Sequence, residues 1–178
     1  MNTDNHNPET ITIQLTQGQQ TVISAIDADL AEIKWHAKWT PHYKGGGKFT
    51  ASRRKTTPHA KNRQITVYLH RVILERILGR ELVKGELADH INGNPLDNRR
   101  ANLRVATPLQ NSHNRGVRRD SVSGYKGVRW IERKKRWVAF ISINGKMTYL
   151  GMFTTPELAH AAYCEAAKKY HGEFANFG

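Results

Sequence analysis

Short stretches in which apolar and polar residues alternate dominate the N-terminal part of the chain. Residues 1–9 are polar and read as a frayed start. Ile11, Ile13 and Leu15 alternate with threonine and glutamine, the period of a half-buried strand. Gln17-Gly18 then turns the chain into a returning strand over Gln20–Ser24. Asp27 is placed to cap a short helix ending near Lys34. Trp35, Ala37 and Trp39 predict a strand with one aromatic face, leaving His36 on the opposite, solvent side. The glycine run at 43–47 predicts a loop, and Phe49–Arg53 another strand. Residues 55–63 are basic and contain a proline, so they predict a mobile, solvated loop. Ile65, Val67 and Leu69 form a strand running into His70-Arg71. A helix follows, with Val72, Ile73, Ile77 and Leu78 at helical spacing and Gly79 as its stop.

Beyond residue 86 the pattern changes. Leu87–Ile91 is a short strand with Asp89 and His90 at its end, followed by a turn at 92–95 and a loop through Arg100. Arg104–Ala106 is a second strand. Thr107 is a good N-cap, Pro108 suits the first helical position and Gln110 completes a capping box. Asn111 therefore falls in the first turns of a helix, expected to pack across the two strands. Residues 116–124 are basic and rich in serine and glycine, and a domain boundary is placed there. Three strands follow, at 125–129, 137–143 and 146–150, the last two joined by Asn144-Gly145, a strong hairpin signal. Thr154 or Thr155 caps a final helix. It carries Ala159, Ala162, Tyr163, Ala166, Ala167 and Tyr170 on one face, with Cys164 beside the stripe, and it ends at His171-Gly172. The architecture is α+β: a β-rich N-terminal scaffold, a strand–strand–helix segment, then a three-stranded antiparallel sheet packed on one helix.

Composition narrows the function. Among 178 residues, 28 Lys+Arg oppose 15 Asp+Glu, giving a formal charge of +13 and a pI near 10.1. That balance favours a polyanionic partner, most simply nucleic acid. A single cysteine excludes an internal disulfide and a Cys-rich zinc ribbon. The N-terminus has neither the charged start nor the apolar run of a signal peptide. No stretch approaches the roughly 18 apolar residues of a membrane span.

The segment from Leu87 to Arg115 concentrates acidic, imidazole, amide and arginine side chains in a run with few apolar residues. Such groups need partners that an ordinary core rarely supplies, so the run reads as a site. Phosphodiester hydrolysis needs a general base for water and a divalent cation for charge on the leaving oxygen. Hard cations prefer oxygen ligands. Asp89 offers a carboxylate and Asn111 an amide oxygen, while His90, on the other side of the strand, can face the water. Arg99, Arg100 and Arg104 are available to phosphates.

The pattern DH-x-NG-x-x-x-DNRRANLRVAT-x-x-x-N resembles the HNH endonuclease motif in the form found in phage and intron-encoded homing endonucleases. The resemblance implies two strands and a helix around one divalent ion, Mg²⁺ or alternatively Mn²⁺. It implies His90 as general base, Asn102 as the loop-bracing asparagine, and Asp89 with Asn111 as metal ligands. Asn111 stands where other members have a second histidine. It assigns no role to His113 or Asn114, and His70 is taken as structural.

YKGVRWIERKKRWVAF, YLGMF and the alanine-rich helix resemble the Apetala-type DNA-binding domain, nearly completely from residue 123 to 178. That family inserts its sheet into the major groove, which implies DNA contacts for Lys126 and Arg129. Phe140 and Ser142 replace an acidic and a basic residue of the plant pattern, so base specificity does not transfer. Arg133, Lys134, Lys135 and Arg136 cluster in a hairpin loop suited to phosphate.

The combined expectation is an HNH domain over 10–115 (scaffold 10–86, motif 87–115), a linker at 116–124 and a DNA-binding domain over 125–178. It would act as a site-specific, metal-dependent DNA endonuclease of the homing type, nicking or cutting both strands. Its partner is double-stranded DNA, with no membrane and no small-molecule substrate. It would work as monomer or homodimer in a bacterial host cytoplasm, phage-encoded. The alternative is a non-catalytic transcriptional regulator, which binds DNA without cutting and ignores Mg²⁺. RNA binding is a third reading, opposed by the absence of a stacking-platform signature.

Overall fold

The computed structural model describes residues 9–41, 46–56 and 64–178. The frayed start and most of the loops expected at 43–47 and 55–63 lie outside the described residues. The chain divides into two compact units, Met1–Val105 and Ala106–Gly178.

In the first unit, β1 (Thr10–Gln14) and β2 (Gln20–Ser24) form the expected antiparallel hairpin. The stretch Ala25–Glu32 is 3₁₀-helical, with Ser24 rather than Asp27 at its N-cap and no side-chain capping bond. Asp27 departs from the expectation because it is fully buried, drawn inward by two guanidinium groups. Arg100 reaches it at 2.7 and 2.9 Å and Arg76 at 3.3 Å.

Strands β3 (His36–Pro41), β4 (Gly47–Thr56) and β5 (Gln64–Tyr68) make an antiparallel sheet in that order. Trp39 is 45% exposed instead of core, because its strand runs on past Ala37, which is buried, and its ring packs on Phe49 at 4.8 Å. Only glycine fits at 47, since a Cβ there would lie 2.5 Å from the Trp39 ring.

Helix α1 (Leu69–Leu78) starts one residue earlier than its pattern suggests, so Leu69 belongs to the first helical turn and not to the strand. Its buried face drifts through Leu69, Ile73 and Leu74, leaving Ile77 40% exposed at the edge. These residues join Ile13, Ile23, Leu30, Trp35 and Leu103 in one core. Strands β6 (Leu87–His90) and β7 (Leu103–Ala106) then pair as a two-stranded sheet.

The second unit opens with α2 (Pro108–His113), whose capping box is formed: Thr107 accepts from the Gln110 amide and Gln110 returns a bond to the Thr107 amide. Strands β8 (Val128–Ile131), β9 (Arg136–Ile143) and β10 (Lys146–Phe153) form an antiparallel sheet on which α3 (Pro156–His171) packs. Strand β8 begins three residues later than expected. Ser123 ties the preceding residues into a turn, accepting from the Tyr125 amide and donating to the Val128 carbonyl. Thr155 is the cap of α3.

Along α3 the inward run is Ala159, Tyr163, Ala167 and His171, while Tyr170 is 48% exposed. Four-residue steps put His171 rather than Tyr170 on the buried face. Alanines let the helix lie close, and Gly127 (φ +74°) answers them: a Cβ there would meet the Tyr163 ring at 2.1 Å. No helix among the described residues is long and apolar enough to cross a membrane.

Candidate active site

The connection between β6 and β7 is built from amides and carboxylates that bond one another. Asn102, buried, accepts from the Asn92 amide at 3.0 Å and donates to the Asn92 side chain at 3.0 Å and the Asp97 carbonyl at 2.7 Å. Asn92 and Asn94 each bond a backbone amide two residues on, the Asx-turn geometry. Strand β2 pins the far side of this loop. Val22 exchanges backbone bonds with Leu96 and Asn98, Thr21 donates to the Leu96 carbonyl, and Ser24 accepts from the Arg100 amide. The N-terminal hairpin thus works as a brace for residues 91–102.

His90 ends β6, buried, with Nε2 3.1 Å from the Asn98 side-chain oxygen. The orientation of Asn98 is fixed because its amide nitrogen faces two acceptors, Thr21 Oγ1 at 2.6 Å and the Pro95 carbonyl at 3.4 Å. Asn98 therefore presents its oxygen to the ring, so His90 carries hydrogen on Nε2 and Nδ1 is the nitrogen able to take a proton. Burial holds the imidazole pKa below its ordinary value, partly offset by Asn98 and the nearby carboxylates. His70, at the start of α1, meets His90 edge-on with ring centroids 5.0 Å apart. Its Nδ1 is sealed from solvent without a hydrogen bond, and burial pushes its pKa down to about 3. Both rings are neutral at neutral pH.

Asp89, beside His90, accepts from Arg104 Nε at 2.9 Å, and both side chains are largely buried. Arg99 forks onto Asp97 at 2.7 and 2.6 Å, and Arg100 onto Asp27. All three arginines expected at phosphates thus stand in ion pairs within the chain. Asp97 is held below the ordinary carboxylate range, chiefly by Arg99.

The structure brings Asp89, His90 and Asn102 together in the first unit, whereas Asn111 belongs to the second, on α2. Among the described residues no group of three or more His, Cys, Asp and Glu is arranged to hold a metal. A carboxylate such as that of Asp89 and an amide oxygen such as that of Asn111 are donor types that suit a hard divalent cation.

In the second unit, α2 is anchored at its C-terminal end. The His113 ring stacks on His171 at 3.7 Å, and Asn176 donates to the Asn114 carbonyl at 2.9 Å. Lys126 turns inward, donating to the His113 carbonyl at 2.6 Å, and burial lowers its pKa to about 8. Arg129 lies exposed over the Phe140 ring. Residues 133–136 form an exposed turn in which Lys135 pairs with Glu132.

Asn98, Thr21 and His70 were not singled out as site residues by sequence. Asn98 sits inside the quoted motif, so a signal was present. Thr21 looks like any strand threonine.

A buried histidine next to a carboxylate, at the end of a strand that leads into an amide-braced loop, forms a candidate site, followed in the chain by a sheet-and-helix module. The family model described as HNH endonuclease matches residues 67–113, and that described as AP2 domain matches residues 123–173. Protein 3.8 of Escherichia phage T7 is 34% identical over 94 residues, 53% of this chain and 77% of that protein. An uncharacterized HNH endonuclease of Acanthamoeba polyphaga mimivirus is 36% identical over 107 residues, 60% of this chain and 54% of its own length. The chain is thus a relative of phage T7 protein 3.8, with an HNH endonuclease segment over residues 67–113 followed by an AP2 domain over residues 123–173.

Proposed function

We propose that the protein is a site-specific, divalent-metal-dependent DNA endonuclease of the homing type. The observation that carries this reading is the His90 ring, set by Asn98 with Nδ1 as proton acceptor and adjacent to Asp89. His90 takes a proton from water as that water attacks the scissile phosphorus. Burial keeps the imidazole neutral and so ready to accept. Asn102 braces the loop, and the nuclease module runs from residue 10 to 115. Asp89 and Asn111 would hold Mg²⁺ or Mn²⁺, which when bound stabilises negative charge on the leaving oxygen.

Arg129 and the 133–136 turn contact duplex DNA, with Lys126 shaping the same module, and their tether to the nuclease supplies specificity through effective concentration. Contacts from Arg99, Arg100 and Arg104 to phosphate would require exchange of their present carboxylate partners. The viral origin of both relatives fits a phage-encoded protein working in a host cytoplasm.

The test is incubation of the purified protein with supercoiled host DNA, with Mg²⁺ or EDTA, beside His90→Ala. Metal-dependent breaks at defined positions are expected, reduced about a hundred- to ten-thousand-fold in the variant. DNA that is shifted in a gel but left intact with Mg²⁺ and Mn²⁺ would instead identify a non-cutting regulator.

A further inference from the structure

We propose that the polar face of the β3–β4–β5 sheet is a second duplex-DNA surface, along which the phosphate backbone continues from the loop that carries His90. The proposal rests on the nuclease reading for the position of the scissile phosphate, and on the sheet itself for the rest.

Cross-strand register sorts the sheet into two faces. His36, Ser52 and Tyr68 stand side by side, as do Lys38 with Thr50, Thr40 with Lys48, and Arg54 with Thr66. All of these share one face, since side chains alternate along each strand. The opposite face holds Ala37, Ala51 and the Trp39–Phe49 pair. Lys38, Lys48 and Arg54 are exposed. The three strands contain no aspartate or glutamate among their described residues. A merely solvated face mixes both signs of charge. A face of one sign concentrates a polyanion. Beside it, Lys34, His36, Lys38, Arg53 and Arg54 line a shallow groove.

This face is physically continuous with the candidate base. Lys48 donates to the Gly93 carbonyl at 2.6 Å, and the Gly93 amide bonds back to the His90 carbonyl at 2.8 Å. Lys38 donates to the Tyr68 hydroxyl at 2.6 Å, Tyr68 stacks on His70 at 5.5 Å, and His70 meets the His90 ring. A strand seated at His90 therefore has flanking phosphates within reach of this face. The arginines of the motif spend their charge on Asp27, Asp89 and Asp97. Lys38, Lys48 and Arg54 bond neutral oxygens instead.

The experiment compares the full-length wild type with a Lys38→Gln/Lys48→Gln/Arg54→Gln variant, binding a short random-sequence duplex in EDTA across a salt series. Neutralising three phosphate contacts should make the slope of log K against log salt shallower by about 2.7. Lys84→Gln, at an exposed turn lysine outside the three strands, should leave the slope unchanged. A triple variant that keeps the wild-type slope overturns the proposal. Lysine acylation of the wild type provides a readout that needs no variant. Duplex should protect Lys38 and Lys48 while Lys84 stays reactive, and lack of protection likewise overturns it. Both readings are taken without cleavage. A slope change in a protein that never cuts DNA would leave the surface standing and remove the nuclease reading.

Discussion

Asn98 illustrates how the candidate site is held from behind by side chains packed inside the unit. It is fully buried, and its amide is oriented by Thr21 and Pro95 before it meets His90. Asn98→Ala should cost about 1–3 kcal/mol of stability through unsatisfied buried groups. It should lower the cleavage rate more than duplex affinity, which a gel-shift titration beside single-turnover kinetics would separate. His70 makes a different prediction. The unfolded chain binds a proton on this residue below about 6.5, but burial delays protonation in the folded state to about 3. Its contribution is complete above pH 6.5 and is lost as pH falls toward 3, by about 1.4 kcal/mol per pH unit between those values. Urea unfolding from pH 7 to 4 should show that slope, and His70→Gln should flatten it. That Asp89, His90 and Asn102 fall in one polar segment was legible because identity and spacing were both unusual. Thr21 was not, because its meaning comes from a bond 75 residues away to Leu96.

At the scale of elements, the decisive interaction is a buried carboxylate where sequence suggested a helix cap. Asp27 joins the 3₁₀ stretch to α1 through Arg76 and to the motif loop through Arg100. Removing it takes a buried carboxylate from two guanidiniums that keep about a third of their surface in water, so Asp27→Ala should destabilise the first unit by about 1–3 kcal/mol in denaturant titration. Strands, turns and caps were read well from alternation and from Thr107, Asn144 and Gly145, since those signals are local. Trp39, Ile77 and Tyr170 were placed inside and proved exposed, because periodicity gives a face but not where the core ends. Helix α2 spans only six residues and cannot stand on propensity alone. Asn176→Ala, which removes its bond to Asn114, should raise the Mg²⁺ concentration needed for half-maximal cutting while leaving salt-dependent DNA binding unchanged. Metal titrations of wild type and variant would check this.

Across the molecule, two hydrophobic cores serve two units. One is centred on Ile23, Leu69 and Ile73, the other on Ile141, Tyr163 and Ala167. Separate cores imply that heat need not melt the chain in one step. Calorimetry should give a total enthalpy above the van't Hoff value, with Ile73→Ala and Ile141→Ala each moving a different part of the transition.

The seam between the units falls after Val105, ahead of α2 and ahead of the linker that composition suggests. The 67–113 segment matched by the HNH model therefore runs past that boundary in sequence, and its last helix is held by Lys126, His171 and Asn176 of the second unit. For anyone wishing to re-target such an enzyme, the linker is the wrong place to cut and paste. A graft made there would strip α2 and Asn111 of their support, whereas a graft that carries residues 106–178 as a block keeps that helix with the residues that hold it.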